Sequence, residues 1–453
     1  MTGVRKSIHG EWSSRWAFIL AATGSAVGLG NIWRFPYITG QYGGGAFVLL
    51  YIMCVLLIAM PIMVSEIMLG RRGRQSPINT MYSLAEEEGL STGWRYLGWL
   101  GVVAGFMILS FYSVIAGWTL DYIYRAGSGS FSGVTDTEIL SIFNGLLGNP
   151  ELLIVLHTVF MSFTVIIVSM GVQSGLERAV KFLMPALFIL LLIMVGYAMS
   201  TPAFDQGLSY LFKPDFSKLS GEGVLAAMGQ AFFSLSLGMG AIMVYGSYLS
   251  SRASIVRTSI SIVIMDTSVA ILAGMAIFPL VFAYGLEPES GPGLIFVTLP
   301  IAFGQMPYGQ FFGTAFFVLL MFAAWTSSIS LLEPAVAWLV ENRDMNRVRA
   351  AALAGLMAWM LGIGSVFSFN IWQDAKLFDK TYFDIMDYLT SNVMLPLGGL
   401  LIAIFSAWLM PRRSSVDELK LGDGLAYKSW RLLARYLAPV GVLIIFLNAI
   451  GIL

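Results

Sequence analysis

The chain contains 453 residues, of which 57% are hydrophobic and only 11% are charged, and its formal net charge is zero. This composition, with a mean hydropathy of +0.78, is too apolar for a soluble domain and indicates an integral membrane protein. The basic residues are spread over loops and form no patch, which excludes a nucleic-acid-binding surface.

Residues that the chain lacks exclude several chemistries. Cys54 is its single cysteine, so neither an internal disulfide nor a thiolate metal cluster can form. His9 and His157 lie far apart, and the sequence contains neither the H-E-x-x-H zinc motif nor the G-x-x-x-x-G-K-S/T phosphate loop. We therefore expect a protein that is not an enzyme. Uphill transport by it would draw on an ion gradient or on another subunit.

Eleven apolar stretches are long enough, at about 20 residues, to cross a bilayer as helices. In chain order their approximate limits, which define spans 1 to 11, are 15–40, 44–70, 96–124, 152–171, 177–200, 224–250, 256–284, 308–340, 347–367, 383–410 and 433–452. Several exceed the minimum length, which indicates tilted or interrupted helices. No convincing small-residue cleavage site follows the first basic residues, so we expect span 1 to be a helix rather than a signal peptide.

The distribution of lysine and arginine predicts the orientation of these spans. With the N-terminus inside, the cytoplasmic segments hold 20 of the 26 basic residues and the outer segments hold five, while Arg34 lies within span 1. Cytoplasmic loops are enriched in lysine and arginine. The bias therefore predicts a cytoplasmic N-terminus and, with eleven spans, an external C-terminus.

Two spans carry glycine interruptions at matching places. Span 1 contains GSAVGLGNIWRFP (Gly24 to Pro36), and span 6 contains GQAFFSLSLGMGAIMVYGS (Gly229 to Ser247). In hydrocarbon a helix can break only where a ligand, an ion or a water-filled cavity satisfies the freed backbone groups. For one span alone, close helix packing against glycine is the alternative explanation. A matched pair predicts a secondary transporter with its site between the two breaks.

Polar side chains from several spans are expected at the depth of these breaks. The topology places there Asn31, Tyr112, Ser234, Ser236, Asp266, Thr326, Ser327 and Ser328. Serine and threonine in membrane helices often bond their own helix carbonyls instead. An unpaired Asp266 at mid-depth, however, would cost about 3 kcal/mol. Because oxygen ligands of this kind suit hard cations, the convergence predicts a sodium site.

Four sequence runs carry a family resemblance. They are AVGLGNIWRFP in span 1, GGGAF (Gly43 to Phe47), FFSLSLGMGA in span 6, and TSSIS before Glu333 and Pro334 in span 8. Together they resemble the neurotransmitter:sodium symporter family, in particular its bacterial amino-acid branch, and the likeness runs from about Glu11 to the last span. The resemblance implies a bacterial inner-membrane location.

The resemblance also implies an all-α polytopic membrane protein with one transmembrane domain over residues 1–453. Its 11 transmembrane helices form a 5+5 inverted repeat in which helices 1 and 6 are discontinuous. Repeat one covers 12–200, repeat two covers 222–410, and 433–452 is an additional helix. An odd number of spans in each repeat turns the second copy upside down.

Two sodium sites are implied by the resemblance. The first uses the Ala26 carbonyl, the substrate carboxylate and the side chains of Asn31, Ser234 and Asp266. The second uses the carbonyls of Gly24, Val27 and Ala323 and the hydroxyls of Thr326 and Ser327.

The implied substrate site lies between the same breaks. The substrate carboxylate meets a tyrosine and free N–H groups, and the ammonium meets carbonyls of the unwound turns, because such N–H groups attract anions. The residues expected to bind substrate are Ala26, Gly28, Gly30, Ile108, Tyr112, Phe233, Ser234, Ser236, Met239 and Leu331.

This chain departs from other branches of the family in ways that bear on specificity. Gly28 stands where members that carry biogenic amines have aspartate, which leaves room for the carboxylate of an amino acid. Asp266 stands where the family usually has asparagine, and Ala270 where chloride-dependent members have serine. We expect Asp266 to supply the negative charge of that chloride. Met239 stands where the bacterial leucine carrier has phenylalanine, and its flexible thioether favours varied hydrophobic side chains, aromatic ones included.

Charged residues outside the midplane are expected to form gates. Arg34 and Asp387 are implied to close the outer side over an aromatic lid of Phe233 and Tyr112. Glu341, at the inner end of span 8, is implied to pair with a basic residue of the N-terminal segment. Arg5 is the residue proposed here, with Lys6 and His9 as the other candidates.

A glycine and a proline in span 5 are spaced as in a family motif that is linked to local unwinding of the helix. They are Gly175 and Pro185, which we treat as hinge candidates. Glu66, near the inner end of span 2, is expected only to cap a helix or to reach the membrane interface.

The residues and the resemblance together predict a sodium-coupled symporter that imports hydrophobic amino acids by alternating access, without chloride and without an obligatory protein partner. A sodium-linked receptor that binds amino acids without transporting them is the open alternative. The permease subunit of an ATP-driven importer would need a nucleotide-binding partner. An intramembrane enzyme would need a nucleophile–base or metal set, which the sequence does not provide.

Overall fold

The computed structural model describes residues 7–286 and 293–449, which are helical and contain no β-strand. Nine helices in these ranges are long and apolar enough to cross a membrane: Gly45–Gly73, Thr92–Gly127, Pro150–Ser169, Val172–Ala198, Ile255–Ala283, Gly309–Arg343, Arg347–Ser368, Tyr382–Leu409 and Leu425–Asn448. Shorter helices connect them: Pro77–Glu87, Asp136–Leu147, Phe204–Phe212, Leu294–Gln305 and Arg412–Leu419. The protein is an all-α, multi-pass membrane protein, as the sequence predicts.

Span 1 is broken. Its halves, Arg15–Ala26 and Gly30–Gln41, meet at an angle of 55° and together are long enough to be a tenth crossing helix. Val27, at the end of the first half, has an extended backbone. The break therefore falls inside the AVGLG run where the sequence predicts it.

Span 6 is broken at the corresponding place. Its halves are Gly221–Ser234 and Ala241–Ser247, and residues 235–240 between them are not helical. Ser236, Gly238 and Gly240 all have positive φ, which glycine adopts without steric cost. Neither half alone has the length of a membrane-spanning helix. The number of eleven spans and the repeat limits stay predictions.

The two longest helices form the centre of the bundle. Gly309–Arg343 and Thr92–Gly127, in spans 8 and 3, pack more extensively on each other than any other two helices of the described ranges. Glycines let span 3 approach the break in span 6: a Cβ at Gly101 would lie 3.1 Å from Gly240 N, and one at Gly105 would lie 3.0 Å from Met239 O. The break in span 6 is thus held against span 3.

Candidate functional site

The backbone groups freed at the span 1 break find partners on side chains. Leu29 N–H donates to Tyr112 Oη at 3.3 Å, and Gly28 N–H donates to Asn31 Oδ1 at 3.3 Å. A Cβ at Gly28 would lie only 2.6 Å from Ser327 Oγ and 2.9 Å from Tyr112 Oη. Position 28 therefore has no room for a larger side chain unless its neighbours move.

The first predicted ion site is a cluster of buried polar side chains around Asp266. Asn31 Nδ2 donates to Asp266 Oδ1 at 2.8 Å, and Ser234 Oγ donates to Asp266 Oδ2 at 2.6 Å. Tyr51, which the sequence analysis missed, places its hydroxyl 3.1 Å from Ser234 Oγ. No basic side chain of the described residues pairs with Asp266.

A buried carboxylate without a counter-charge is costly, and a bound cation relieves that cost. The groups around Asp266 are oxygen-rich, as hard cations require. Within the described ranges, no cluster of three His, Cys, Asp or Glu side chains that could hold a metal ion occurs. The donor set here therefore fits Na⁺ better than a transition metal. Asn31 Nδ2 donates to Asp266, and its Oδ1 accepts from Gly28 N–H, so the side chain joins Asp266 to the span 1 break.

The oxygens of the second predicted ion site also converge. Ser327 Oγ lies 3.4 Å from Gly24 O and 3.3 Å from Val27 O, and Thr326 Oγ1 donates to Ala323 O at 3.0 Å. A Cβ at Gly24 would lie 3.2 Å from Thr326 Cβ. The last carbonyls of a helix have no partner within it. At the end of the first half of span 1, such carbonyls therefore face the hydroxyls of span 8.

A small cavity of about 30 Å³ lies between the breaks. Every residue predicted to bind substrate lines it except Ser234, whose hydroxyl faces Asp266. Ile108, Phe233, Met239 and Leu331 supply its apolar walls. The cavity therefore combines an apolar wall with polar groups of the span 1 break.

Two residues that line the cavity, Ser25 and Leu29, were not predicted from the sequence. The Ser25 carbonyl accepts hydrogen bonds from Ser236 Oγ at 2.7 Å and from Ser327 Oγ at 3.2 Å. Its own hydroxyl donates to Ser330 Oγ at 2.8 Å. Ser25 thus joins span 1 to spans 6 and 8. The sequence feature that could have identified Ser25 is the end of the first helical half of span 1, because a helix end leaves carbonyls without partners.

Glu66, in span 2, contacts the break in span 6. It is fully buried, and its Oε1 accepts a hydrogen bond from Gly238 N–H at 2.6 Å. The expectation that Glu66 reaches the interface is wrong, because the side chain is fully buried. The alternative expectation, that it caps a helix, agrees with its contact to the N–H that precedes the second half of span 6.

The outer gate differs from its prediction. The Arg34 guanidinium lies over the Phe233 ring, 4.8 Å from the centroid, as a cation–π contact. Asp387 accepts a hydrogen bond from Ser391 Oγ at 2.9 Å. No ion pair within 4.0 Å joins Arg34 to Asp387 in the described part of the chain. Phe233 therefore holds the guanidinium that was expected to pair with Asp387.

At the inner gate the structure shows one of the candidate partners of Glu341, and the Arg5 prediction lies outside the described residues. We call the end of the bundle that holds residues 9–13 the inner end. There His9 Nε2 lies 3.0 Å from Glu341 Oε1, while Arg5 falls outside the described residues. Ser76 N–H and Asn79 Nδ2 also donate to Glu341, at 2.7 and 2.8 Å. Trp12 anchors the segment that carries His9, because its indole donates to Tyr245 O at 3.0 Å.

The hinge candidates flank a segment that contacts the second ion site. Gly175 lies in a widened helical turn, Val172–Glu177, where a Cβ would be 2.1 Å from Ile167 O. Pro185 lies within Arg178–Ala198. Met184, beside Pro185, is 3.1 Å from the position of a Cβ at Gly24. The hinge assignment stays a prediction.

Two broken helices that face each other across a buried cavity, with oxygen clusters at both breaks, define the class of sodium-coupled secondary transporters. A sequence model of the sodium:neurotransmitter symporter family matches residues 9–133 and 136–452, and the chain belongs to this family. It is a transporter rather than an enzyme, and sodium is its co-transported ion.

Similar proteins span nearly the whole chain. The uncharacterised sodium-dependent transporter YhdH of Bacillus subtilis is 39% identical over 446 residues, with 98% of each chain covered. An uncharacterised sodium-dependent transporter of Haemophilus influenzae is 34% identical and covers 96% of this chain and 97% of its own. The crystal structure of MhsT in complex with L-phenylalanine matches with a TM-score of 0.90 and 43% identity, over 97% of this chain and 99% of that one.

Proposed function

We propose that this protein imports hydrophobic L-amino acids, aliphatic and aromatic, together with Na⁺ across the bacterial inner membrane. Its N-terminus is cytoplasmic and its C-terminus external. The observation that carries this proposal is the cavity between the two breaks, which has apolar walls beside a polar floor formed by the backbone of the span 1 break and the side chains of Tyr112, Ser236 and Ser327. The similarity to MhsT, whose crystal structure contains L-phenylalanine, supports an amino acid as substrate.

Each end of the substrate has a matching partner in the cavity. The carboxylate approaches the Leu29 N–H and the Tyr112 hydroxyl, which now contact each other. Gly28 has no side chain to compete for this place. The hydrophobic side chain lies among Ile108, Phe233 and Met239. Met239 has a flexible thioether, which adapts to side chains of different shape.

Two sodium ions couple to this substrate. The first binds to the Ala26 carbonyl, Asn31, Ser234, Asp266 and the substrate carboxylate, so the ion and the substrate stabilise each other. The second binds to the carbonyls of Gly24, Val27 and Ala323 and to the hydroxyls of Thr326 and Ser327. The ligands of the second sodium ion come from spans 1 and 8. Binding of this ion therefore favours one relative position of these two helices.

Transport proceeds by alternating access without chloride. Spans 1, 2, 6 and 7 rock against the remaining helices, and Asp266 supplies the negative charge that chloride-dependent members obtain from the anion. The outer gate opens when the side chains of Arg34, Phe233 and Asp387 separate. The inner gate opens when the contact between His9 and Glu341 breaks.

The test is uptake of labelled phenylalanine and leucine into liposomes that contain only this purified chain. We expect accumulation with an inward sodium gradient and none when potassium replaces sodium. Replacing chloride by gluconate should leave the rate unchanged. Saturable binding without accumulation would support a sodium-linked receptor instead, and a strict need for chloride would overturn the role of Asp266.

A further inference from the structure

A cavity of about 520 Å³ lies at the inner end, between the N-terminal segment and the loop that joins spans 6 and 7. Three arginines line it: Arg15 from the start of span 1, and Arg252 and Arg257 from the loop and the first turn of span 7. We call this cavity the basic pocket. It lies outside both sodium clusters and outside the substrate cavity.

The positive charge of the basic pocket is not neutralised by the protein. Among the described residues none of its three arginines takes part in an ion pair. Arg15 Nε donates instead to the Thr258 hydroxyl at 3.2 Å. Glu11 also lines the pocket, but its carboxylate pairs with Arg74 at 3.1 Å. Loop arginines alone are expected at a cytoplasmic face, whereas three around one concave pocket suit an anion.

The surroundings of the basic pocket indicate a lipid rather than a dissolved anion. Span 7 continues from Arg257 with Ile260 and Ile264 on the same helix face, and these side chains are 40% and 59% exposed. Trp16, next to Arg15, is 65% exposed. Large exposed apolar side chains on a membrane helix contact acyl chains, and tryptophan is enriched at the headgroup level. An acyl chain can therefore lie along span 7 while its headgroup enters the pocket.

We propose that the basic pocket binds the phosphate headgroup of an anionic phospholipid in the cytoplasmic leaflet. Arg252 and Arg257 contact the phosphate from the loop side, and Arg15 contacts it from span 1. The Ser254 hydroxyl, which caps the helix of span 7, also lines the pocket. Binding of this kind is charge-assisted and multidentate, which favours phosphatidylglycerol or cardiolipin over a zwitterionic lipid.

A bound headgroup also affects the inner gate, and this part rests on the proposed transport function. Trp12 lines the basic pocket, its backbone N–H donates to Tyr248 O at 3.0 Å, and its indole donates to Tyr245 O. A lipid that joins Arg15 to the span 6–7 loop keeps Trp12 against these tyrosines. Anionic lipid therefore favours the closed inner gate.

The test compares lipid binding to the Arg252→Gln/Arg257→Gln variant and to a control with the same charge loss. Arg349→Gln/Arg413→Gln removes two exposed arginines at the inner end that do not line the pocket. Retention of phosphatidylglycerol is measured by native mass spectrometry of detergent-purified protein. We expect wild type and control to retain it and the pocket variant to lose affinity about tenfold. Equal retention by all three would overturn the proposal.

Two further measurements separate the remaining outcomes. If inorganic phosphate competes with phosphatidylglycerol at equal concentration, the pocket binds a free anion and the lipid assignment is wrong. A monodisperse profile and an unchanged helical circular dichroism spectrum show that the variant is folded. Lipid retention needs no transport, so a protein that binds phosphatidylglycerol but accumulates no amino acid would contradict only the proposed function.

Discussion

His9 and Glu341 meet although they lie 332 positions apart in the chain, with His9 Nε2 3.0 Å from Glu341 Oε1 and both side chains almost fully buried. The His9 ring also packs against Tyr248 of span 6, with 5.7 Å between ring centroids. This contact ties the N-terminal segment to spans 6 and 8. The inner gate therefore depends on a residue of the N-terminal segment.

The contact between His9 and Glu341 should stabilise the closed inner gate. His9→Ala removes a hydrogen bond that contributes about 1 kcal/mol, so the inner side should open more readily and uptake should rise by up to about fivefold. The measurement is initial uptake into proteoliposomes.

A conservative variant tests whether the hydrogen bond itself is responsible. His9→Gln can still donate to Glu341, so its uptake should stay close to that of wild type. If His9→Ala and wild type take up substrate at the same rate, the contact does not limit opening of the inner gate and this prediction is wrong.

Asp266 should determine the response to chloride. Asp266→Asn removes the charge from the cluster with Asn31 and Ser234, and we expect sodium affinity to fall at least about tenfold, since the lost interaction is a desolvated charge contact. In the Asp266→Asn/Ala270→Ser variant, chloride should restore part of the uptake. Ala270→Ser alone should remain independent of chloride. Restoration by gluconate as well as by chloride would contradict the explanation.

Gly28 should tolerate no side chain. In Gly28→Ala the new Cβ would lie 2.6 Å from Ser327 Oγ and beside Tyr112 Oη, so both the substrate carboxylate and the second ion site lose space. Overpacking of this kind costs about 1–3 kcal/mol. We therefore expect uptake to fall more than about tenfold. Gly229→Ala is the matched control, because a Cβ there meets no atom within 4 Å. Similar uptake by the two variants would be evidence against close packing at position 28.

Glu66 should stabilise the break in span 6 through its acceptor oxygen rather than through its charge. Glu66→Ala leaves the Gly238 N–H buried without a partner, which costs about 1–3 kcal/mol and should lower the midpoint of thermal unfolding in detergent. Glu66→Gln retains an acceptor oxygen and should unfold close to the wild-type temperature. Equal loss of stability in both variants would show that the charge is required.

Much of the architecture was predictable because it depends on local features of the chain. Long apolar runs have to cross the bilayer, and Gly28, Gly30, Gly238 and Gly240 mark where two of these runs cannot stay helical. The depth of each polar residue follows from its position in a span. The sequence therefore determined the helical class, both breaks and the convergence of Asn31, Ser234 and Asp266.

Only the tertiary structure decided which partners these residues contact. Arg34 lies over the Phe233 ring, His9 contacts Glu341, and Glu66 accepts a hydrogen bond from the Gly238 N–H. Each of these contacts joins distant parts of the chain through the rotation and tilt of packed helices. Hydropathy and spacing place a residue by depth but do not determine that rotation, since it depends on how side chains of all neighbouring helices fill space together.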